Sequence, residues 1–165
     1  MFRKLKFLLG LCLLSGLSLP VVGFTNNSGS VVRVKDGDTY VIEINGNEET
    51  VRLIGVDTPE SVHKNKAKNT KWGKKISKIV KKKLKKGTKV KLTYDKGEKD
   101  IYGRTLAYVY VDGKMINEYL VEKGYARAVY YAPNGKYRKK FEKLQKQAKK
   151  KKKGFWKDGY KKAFP

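Results

Sequence analysis

Between Val31 and Glu60 the chain is cut into short strand-like runs by tight-turn residues, and this punctuation limits the fold more than any other feature. Val31 to Lys35 stops at Asp36-Gly37. Tyr40 to Ile44 alternates apolar and polar residues and stops at Asn45-Gly46, a pair suited to a hairpin turn. Val51 to Val56 follows and stops at Asp57-Thr58-Pro59.

The pattern changes downstream. Residues 61–70 are polar and loop-like. Trp72, Ile76, Ile79, Val80 and Leu84 then recur at helical spacing in a Lys-rich segment, which predicts a helix near 68–86 with Gly87 as its stop. Thr88 to Tyr94 alternates again, Asp95 to Gly103 is a charged loop, and Thr105 to Val111 is a strand closed by Asp112-Gly113. A short helix is expected near 114–123, then a brief extended piece over 125–131. A last helix is expected near 134–152, capped by Asn134 and burying Tyr137, Phe141, Leu144 and Ala148. Lys149 to Lys153 place cations where the helix dipole favours them, and Phe155-Trp156 can pack back after Gly154. The order of elements predicts an α+β, mainly β fold: a five-stranded Greek-key barrel of OB type with about three helices.

The first residues read as a targeting segment. Arg3, Lys4 and Lys6 precede the apolar run Phe7 to Leu14, and small residues with Pro20 follow to Gly23. That is the order of a signal peptide over 1–23 and of a secreted or periplasmic product. The alternative is an anchor left uncleaved in the membrane. Residues 24–30 read as a flexible lead-in, 31–156 as the folded domain, and 157–165 as a basic tail. Cys12 is the single cysteine and His63 the single histidine, so a mature chain has no disulfide and no multi-histidine or thiolate zinc site. The formal charge is +25, and setting aside the three cations of residues 1–23 leaves +22. Such a field attracts polyanions, either nucleic acid or an anionic cell surface.

The densest chemistry lies in Asp36-Gly37-Asp38-Thr39 and in Arg52 to Glu60. Asp38 and Asp57 are equidistant from position 47.5, within an Asn45–Glu49 turn, so a hairpin should set them face to face. Adjacent carboxylates repel, and Ca²⁺ takes oxygen ligands of this kind, with a Thr58 carbonyl or hydroxyl nearby. An Asp-Gly pair alone is ordinary turn chemistry, and one Arg alone an ordinary surface charge. Together with Arg52, Glu60 and Arg104, however, the set fits phosphodiester hydrolysis: a carboxylate to position or deprotonate water, and planar cations for growing phosphoryl charge. Arg52 and Asp57 are five residues apart. In a regular strand they would point to opposite faces, with Cα atoms roughly 16 Å apart. The strand must therefore bend or end, and Gly55 is the expected place.

Asp36-Gly37-Asp38-Thr39, Arg52, Asp57-Thr58-Pro59-Glu60, Asp95-Lys96-Gly97, Tyr102-Gly103-Arg104-Thr105-Leu106-Ala107-Tyr108 and Asp112-Gly113-Lys114-Met115-Ile116-Asn117 resemble the staphylococcal nuclease (thermonuclease) family in order and spacing. The likeness covers most of 31–156. It implies an OB-fold barrel with three helices and Ca²⁺-dependent cleavage of DNA and RNA by a monomer, leaving 5′-hydroxyl and 3′-phosphate ends. It further implies that Asp38 and Asp57 are metal ligands through their carboxylates and Thr58 through its backbone. Arg52 and Arg104 are the corresponding transition-state cations, Glu60 the water-activating carboxylate, and Tyr102 with Tyr130 or Tyr131 the nucleotide contacts. The chain departs from the staphylococcal enzyme at Ile101, where that enzyme has Lys, at Trp72-Gly73 for a Tyr-Gly pair, and over 125–133, one residue shorter. The competing readings are a non-catalytic OB-type nucleic-acid binder and a cationic adhesion protein. A binder gains nothing from Asp38, Asp57 and Glu60 on a phosphate-facing surface. Adhesion accounts for the charge but not for the motifs.

Overall fold

The computed structural model describes residues 27–62 and 64–165. The signal segment, its anchor alternative and His63 lie outside the described residues. Strands β1 (Ser28–Asp36), β2 (Thr39–Ile44) and β3 (Asn47–Leu53) form an antiparallel meander, and β5 (Lys89–Thr93) and β6 (Thr105–Val111) complete the sheet. β5 pairs with β1, and a parallel pairing of β3 with β6 closes the five strands into a barrel. A short β4 (Val56–Asp57) leaves the barrel and pairs with β8 (Arg127–Ala128), while β7 (Lys114–Met115) extends β6. The expected OB-type barrel is therefore the fold.

β1 begins three residues before Val31, so Ser28 to Ser30 are strand rather than lead-in. Their partners on β5 are Lys89 to Lys91. The inward residues of alternating strands meet in one core, with Tyr40, Ile42, Val51, Leu53, Leu92 and Tyr108 almost completely enclosed. Full burial of side chains of this size stabilises by about 1.5–3 kcal/mol each, which is the main force closing the barrel.

Helix α1 (Lys71–Lys83) buries Ile76 and Val80 against the barrel, with Leu84 just beyond, while its Lys residues face solvent. Thr70 caps it by accepting from the Gly73 amide at 3.0 Å, so the helix is shorter than its apolar stripe suggested. α2 (Ile116–Glu122) follows β7 directly, because Lys114 and Met115 pair with β6 instead of joining the helix. α3 (Arg138–Lys150) starts four residues later than expected. Asn134 does not cap it: its side chain bonds both the amide and the carbonyl of Gly97, at 2.7 and 2.9 Å, and ties two loops together. Phe141 and Ala148 are buried on α3, whereas Trp72, Tyr137 and Leu144 are packed on the core only in part, as aromatic and rim residues are. The last residues fold back on the body. A 3₁₀ turn (Gly154–Trp156) buries Phe155, and α4 (Tyr160–Ala163) buries Ala163, so this stretch is not a solvated tail. Among the described residues no helix is long and apolar enough to cross a membrane.

Candidate active site

The hairpin turn sets the geometry of the site. The observed register pairs Ile44 with Asn47 and Thr39 with Arg52, so the turn centres on Asn45-Gly46, two residues earlier than the centre that would set Asp38 opposite Asp57. Asp38 consequently faces Leu53 and not Asp57: its carbonyl accepts from the Leu53 amide at 3.0 Å. The two carboxylates come together by another route. β3 ends at Leu53, the chain turns through Ile54-Gly55 with Gly55 at φ 75°, and β4 carries Asp57 back beneath Arg52. A side chain at position 55 would be strained in that conformation and would press on the Phe141 ring.

Arg52 lies across both carboxylates. Its Nη1 is 3.2 Å from Asp38 Oδ2 and its Nη2 is 3.2 Å from Asp57 Oδ1. Nη1 also donates to the carbonyls of Val56 and Leu53, at 2.8 and 3.2 Å. Asp38 is buried and accepts from the Thr58 amide at 2.8 Å and the Thr58 hydroxyl at 2.9 Å. The Thr58 hydroxyl is thus engaged, and its backbone carbonyl is the group left to serve as a ligand. Burial pushes the Asp57 carboxyl up from its ordinary range, and the Asp38 charge adds to this, while Arg52 and Arg127 pull the other way.

Glu60 follows on an exposed stretch whose backbone is fixed. Its carbonyl accepts from Thr70 at 3.0 Å. Gly73 allows α1 to approach so closely that a Cβ there would overlap that carbonyl. Glu60 is exposed and, with Asp57, Thr58 and Arg127, lines a cavity of about 310 Å³.

Arg104 comes from the start of the β6 approach and is aimed by Asp100. The Asp100 carboxylate accepts from Arg104 Nε at 2.7 Å and from its backbone amide at 3.0 Å. Arg52 and Arg104 line a second cavity, of about 550 Å³, together with Tyr102 and Tyr131. Tyr102 is 77% exposed and Tyr131 69%, as ligand-facing rings would be. Tyr130 is not among the residues lining that cavity; Arg138 sits 4.4 Å over its ring instead. Ile101, 91% exposed, also lines the cavity and offers no cation there.

These features match a known family. The model of the family described as staphylococcal nuclease homologue matches residues 50–158. The chain is 49% identical over 126 residues to a thermonuclease of Staphylococcus hyicus, spanning 76% of this chain and 73% of that protein. A thermonuclease of Staphylococcus intermedius is likewise 49% identical over 126 residues, covering 76% and 74%. The chain belongs to the staphylococcal nuclease family. It is also 45% identical over 131 residues to an SPbeta prophage-derived endonuclease, YokF, of Bacillus subtilis, covering 78% of this chain and 44% of that one.

Two residues of this staphylococcal nuclease-type site are not evident from the sequence. Asp100 positions Arg104, and the only sign is its spacing four residues ahead of that cation. Arg127 grips Asp57 from β8, with Nε and Nη2 at 2.8 and 2.7 Å from Oδ2. Its one signal is a lone charge between Ala126 and Ala128 in an extended segment.

The donor set fits a hard cation. Asp38 and Asp57 are close enough for one charge to raise the other's pKa, which a shared divalent ion would relieve. Among the described residues no cluster of three or more acidic, His or Cys side chains occurs. The remaining ligands would be the Thr58 carbonyl and water, within the six to eight oxygens that Ca²⁺ takes.

Proposed function

We propose that this protein is a Ca²⁺-dependent nuclease that hydrolyses DNA and RNA, releasing 5′-hydroxyl and 3′-phosphate ends. Membership of the staphylococcal nuclease family, with thermonuclease and endonuclease relatives, supports phosphodiester hydrolysis of nucleic acids. The observation that carries the finer reading is Arg52 lying across Asp38 and Asp57, with Glu60 lining one cavity beside Asp57 and Arg104 lining another beside Arg52.

Asp38, Asp57 and the Thr58 carbonyl would hold the Ca²⁺. When bound, the ion would neutralise charge on the phosphoryl oxygens. The protein's own groups do the rest. Arg52 and Arg104 present fork-shaped donors to the phosphoryl group: Arg104 is held ready by Asp100, and Arg52, tethered at the Val56 carbonyl, exchanges its carboxylate partners for phosphoryl oxygens as negative charge grows. Glu60, on a pinned backbone and open to solvent, orients a water and accepts its proton. Tyr102 and Tyr131 offer rings to the nucleotide beside the cut, and the surplus of Lys draws the polyanion in.

The same reading makes the protein an exported monomer, on the signal-like order of Met1 to Gly23 and on a site completed within one chain; an uncleaved leader would instead leave it membrane-anchored. The test is cleavage of single-stranded DNA and RNA by the purified protein, with Ca²⁺ and with chelator, followed by end-group analysis. Cleavage in chelator at the full rate, or 5′-phosphate products, would overturn it.

A further inference from the structure

We propose that Arg127 is the positioning residue for Asp57, and that the folded-back stretch from Phe155 to Phe164 is the strut that holds Arg127 in place. The inference rests on the reading of Asp57 as a Ca²⁺ ligand. Arg127 and Asp57 are direct cross-strand partners in the β4–β8 pair, so backbone register already sets them opposite each other. The guanidinium then places two donors on one oxygen, Oδ2, at 2.8 and 2.7 Å. The other oxygen, Oδ1, meets the longer 3.2 Å contact from Arg52. Arg127 therefore anchors Oδ2, while Oδ1 stays on the side of Arg52. When Arg52 turns to the substrate phosphate, Arg127 still holds Asp57 against the repulsion of Asp38.

Arg127 is itself braced. Its guanidinium lies 4.4 Å over the Phe164 ring, and the Tyr160 hydroxyl is hydrogen-bonded to Nη1. Phe164 stacks on Tyr160 at 4.9 Å and 20°, and Tyr160 stacks on Trp156 at 5.7 Å and 19°. Phe164 also meets the buried Phe155 edge-on at 5.4 Å. A continuous ladder thus runs from Trp156 through Tyr160 and Phe164 to Arg127 and Asp57. Tyr160 and Phe164 lie past residue 158, outside the segment matched by the family model.

The test uses changes that leave net charge alone, because removing a cation could by itself favour metal binding. Tyr160→Phe deletes one hydroxyl from a partly exposed ring, and Phe164→Leu keeps the apolar contact with Phe155 but loses the stacked plane. Ca²⁺ affinity is measured by calorimetry without nucleic acid, and exchange of the Arg127 Nε–H is followed by ¹⁵N NMR without metal. Both variants should bind Ca²⁺ severalfold more weakly and expose the Nε–H to faster exchange. Arg127→Lys, which keeps the charge but loses the paired donors on Oδ2, should also weaken binding. A role in folding alone would lower Tm and move neither readout. Unchanged Ca²⁺ affinity and unchanged exchange in Tyr160→Phe, or tighter binding in Arg127→Lys, would overturn the proposal while leaving the Ca²⁺ reading intact. A parent protein that binds no Ca²⁺ would sink that reading instead, and the Nε–H exchange would still decide whether the strut holds Arg127.

Discussion

Arg52 and Asp57, five residues apart in one extended run, meet at 3.2 Å because the strand bearing Arg52 ends at Leu53 and reverses through Gly55. A regular strand would have sent them to opposite faces. Gly55→Ala should therefore damage both fold and site. The φ of 75° and a Cβ 2.9 Å from the Phe141 ring cost about 1–3 kcal/mol. Thermal unfolding should show that loss, and the cleavage rate should fall with it. A variant as stable and as active as the parent would mean that the turn does not set the site.

Asp57→Asn separates metal from scaffold. Burial and the Asp38 charge raise the Asp57 pKa in the folded chain. A raised folded pKa means that this carboxyl favours folding at low pH, and that the contribution is lost as pH rises through the raised value. At neutral pH without added cation, replacing the ionised group by a neutral amide should leave stability equal or higher. Ca²⁺ should no longer raise Tm, and cleavage should cease. Asp38→Asn should behave differently, since Asp38 accepts from the Thr58 amide and hydroxyl and is part of the scaffold. Unfolding scans of both variants, with and without Ca²⁺, check this.

Asp100→Asn tests how much aiming Arg104 matters. The variant keeps one acceptor oxygen for the Tyr102 and Arg104 amides but loses the charge and the second oxygen that hold the guanidinium. The rate should drop about tenfold, less than the about 10²–10³ expected for deleting such a donor outright. Acid gives a second check. Burial works against the Asp100 charge, but bonds from the Arg104 backbone and guanidinium and from the Tyr102 amide win and lower its pKa below 3.8. The stabilisation is therefore present above 3.8 and disappears as pH falls through the lowered value. Amide exchange over residues 100–105 should rise only in that acid range.

Turn residues and apolar periodicity made the barrel legible. Asn45-Gly46, Asp112-Gly113 and the Ile76–Val80–Leu84 stripe are local signals that the structure follows. The route that joins Asp38 to Asp57 was not legible from hairpin symmetry, because the register depends on which of several turn residues makes the turn. Asn134 departs from its expected capping role for a related reason: its side chain is used on Gly97, 37 residues away. Arg127 meets Asp57 across 70 residues, and the bracing by Tyr160 and Phe164 depends on a chain reversal that Lys-rich composition hides.

Substrate binding should follow salt steeply. With Glu60→Gln as an uncut complex, the logarithm of affinity for single-stranded DNA should fall linearly with log salt, by about 0.7 per phosphate neutralised. A flat response would remove the electrostatic part of the account.

The most direct measurement is single-turnover cleavage of single-stranded DNA by Arg52→Lys, Arg104→Lys and Glu60→Gln, beside equilibrium binding. The many remaining cations should keep binding within a modest factor of the parent. Each Arg→Lys change keeps the charge but loses the fork, and should slow cleavage by about 10²–10³. Glu60→Gln keeps shape but loses the proton acceptor, and should slow it by about 10²–10⁴. Cleavage near the parent rate by any one variant would remove that residue from the mechanism, and near-parent rates in all three would contradict the active site as drawn.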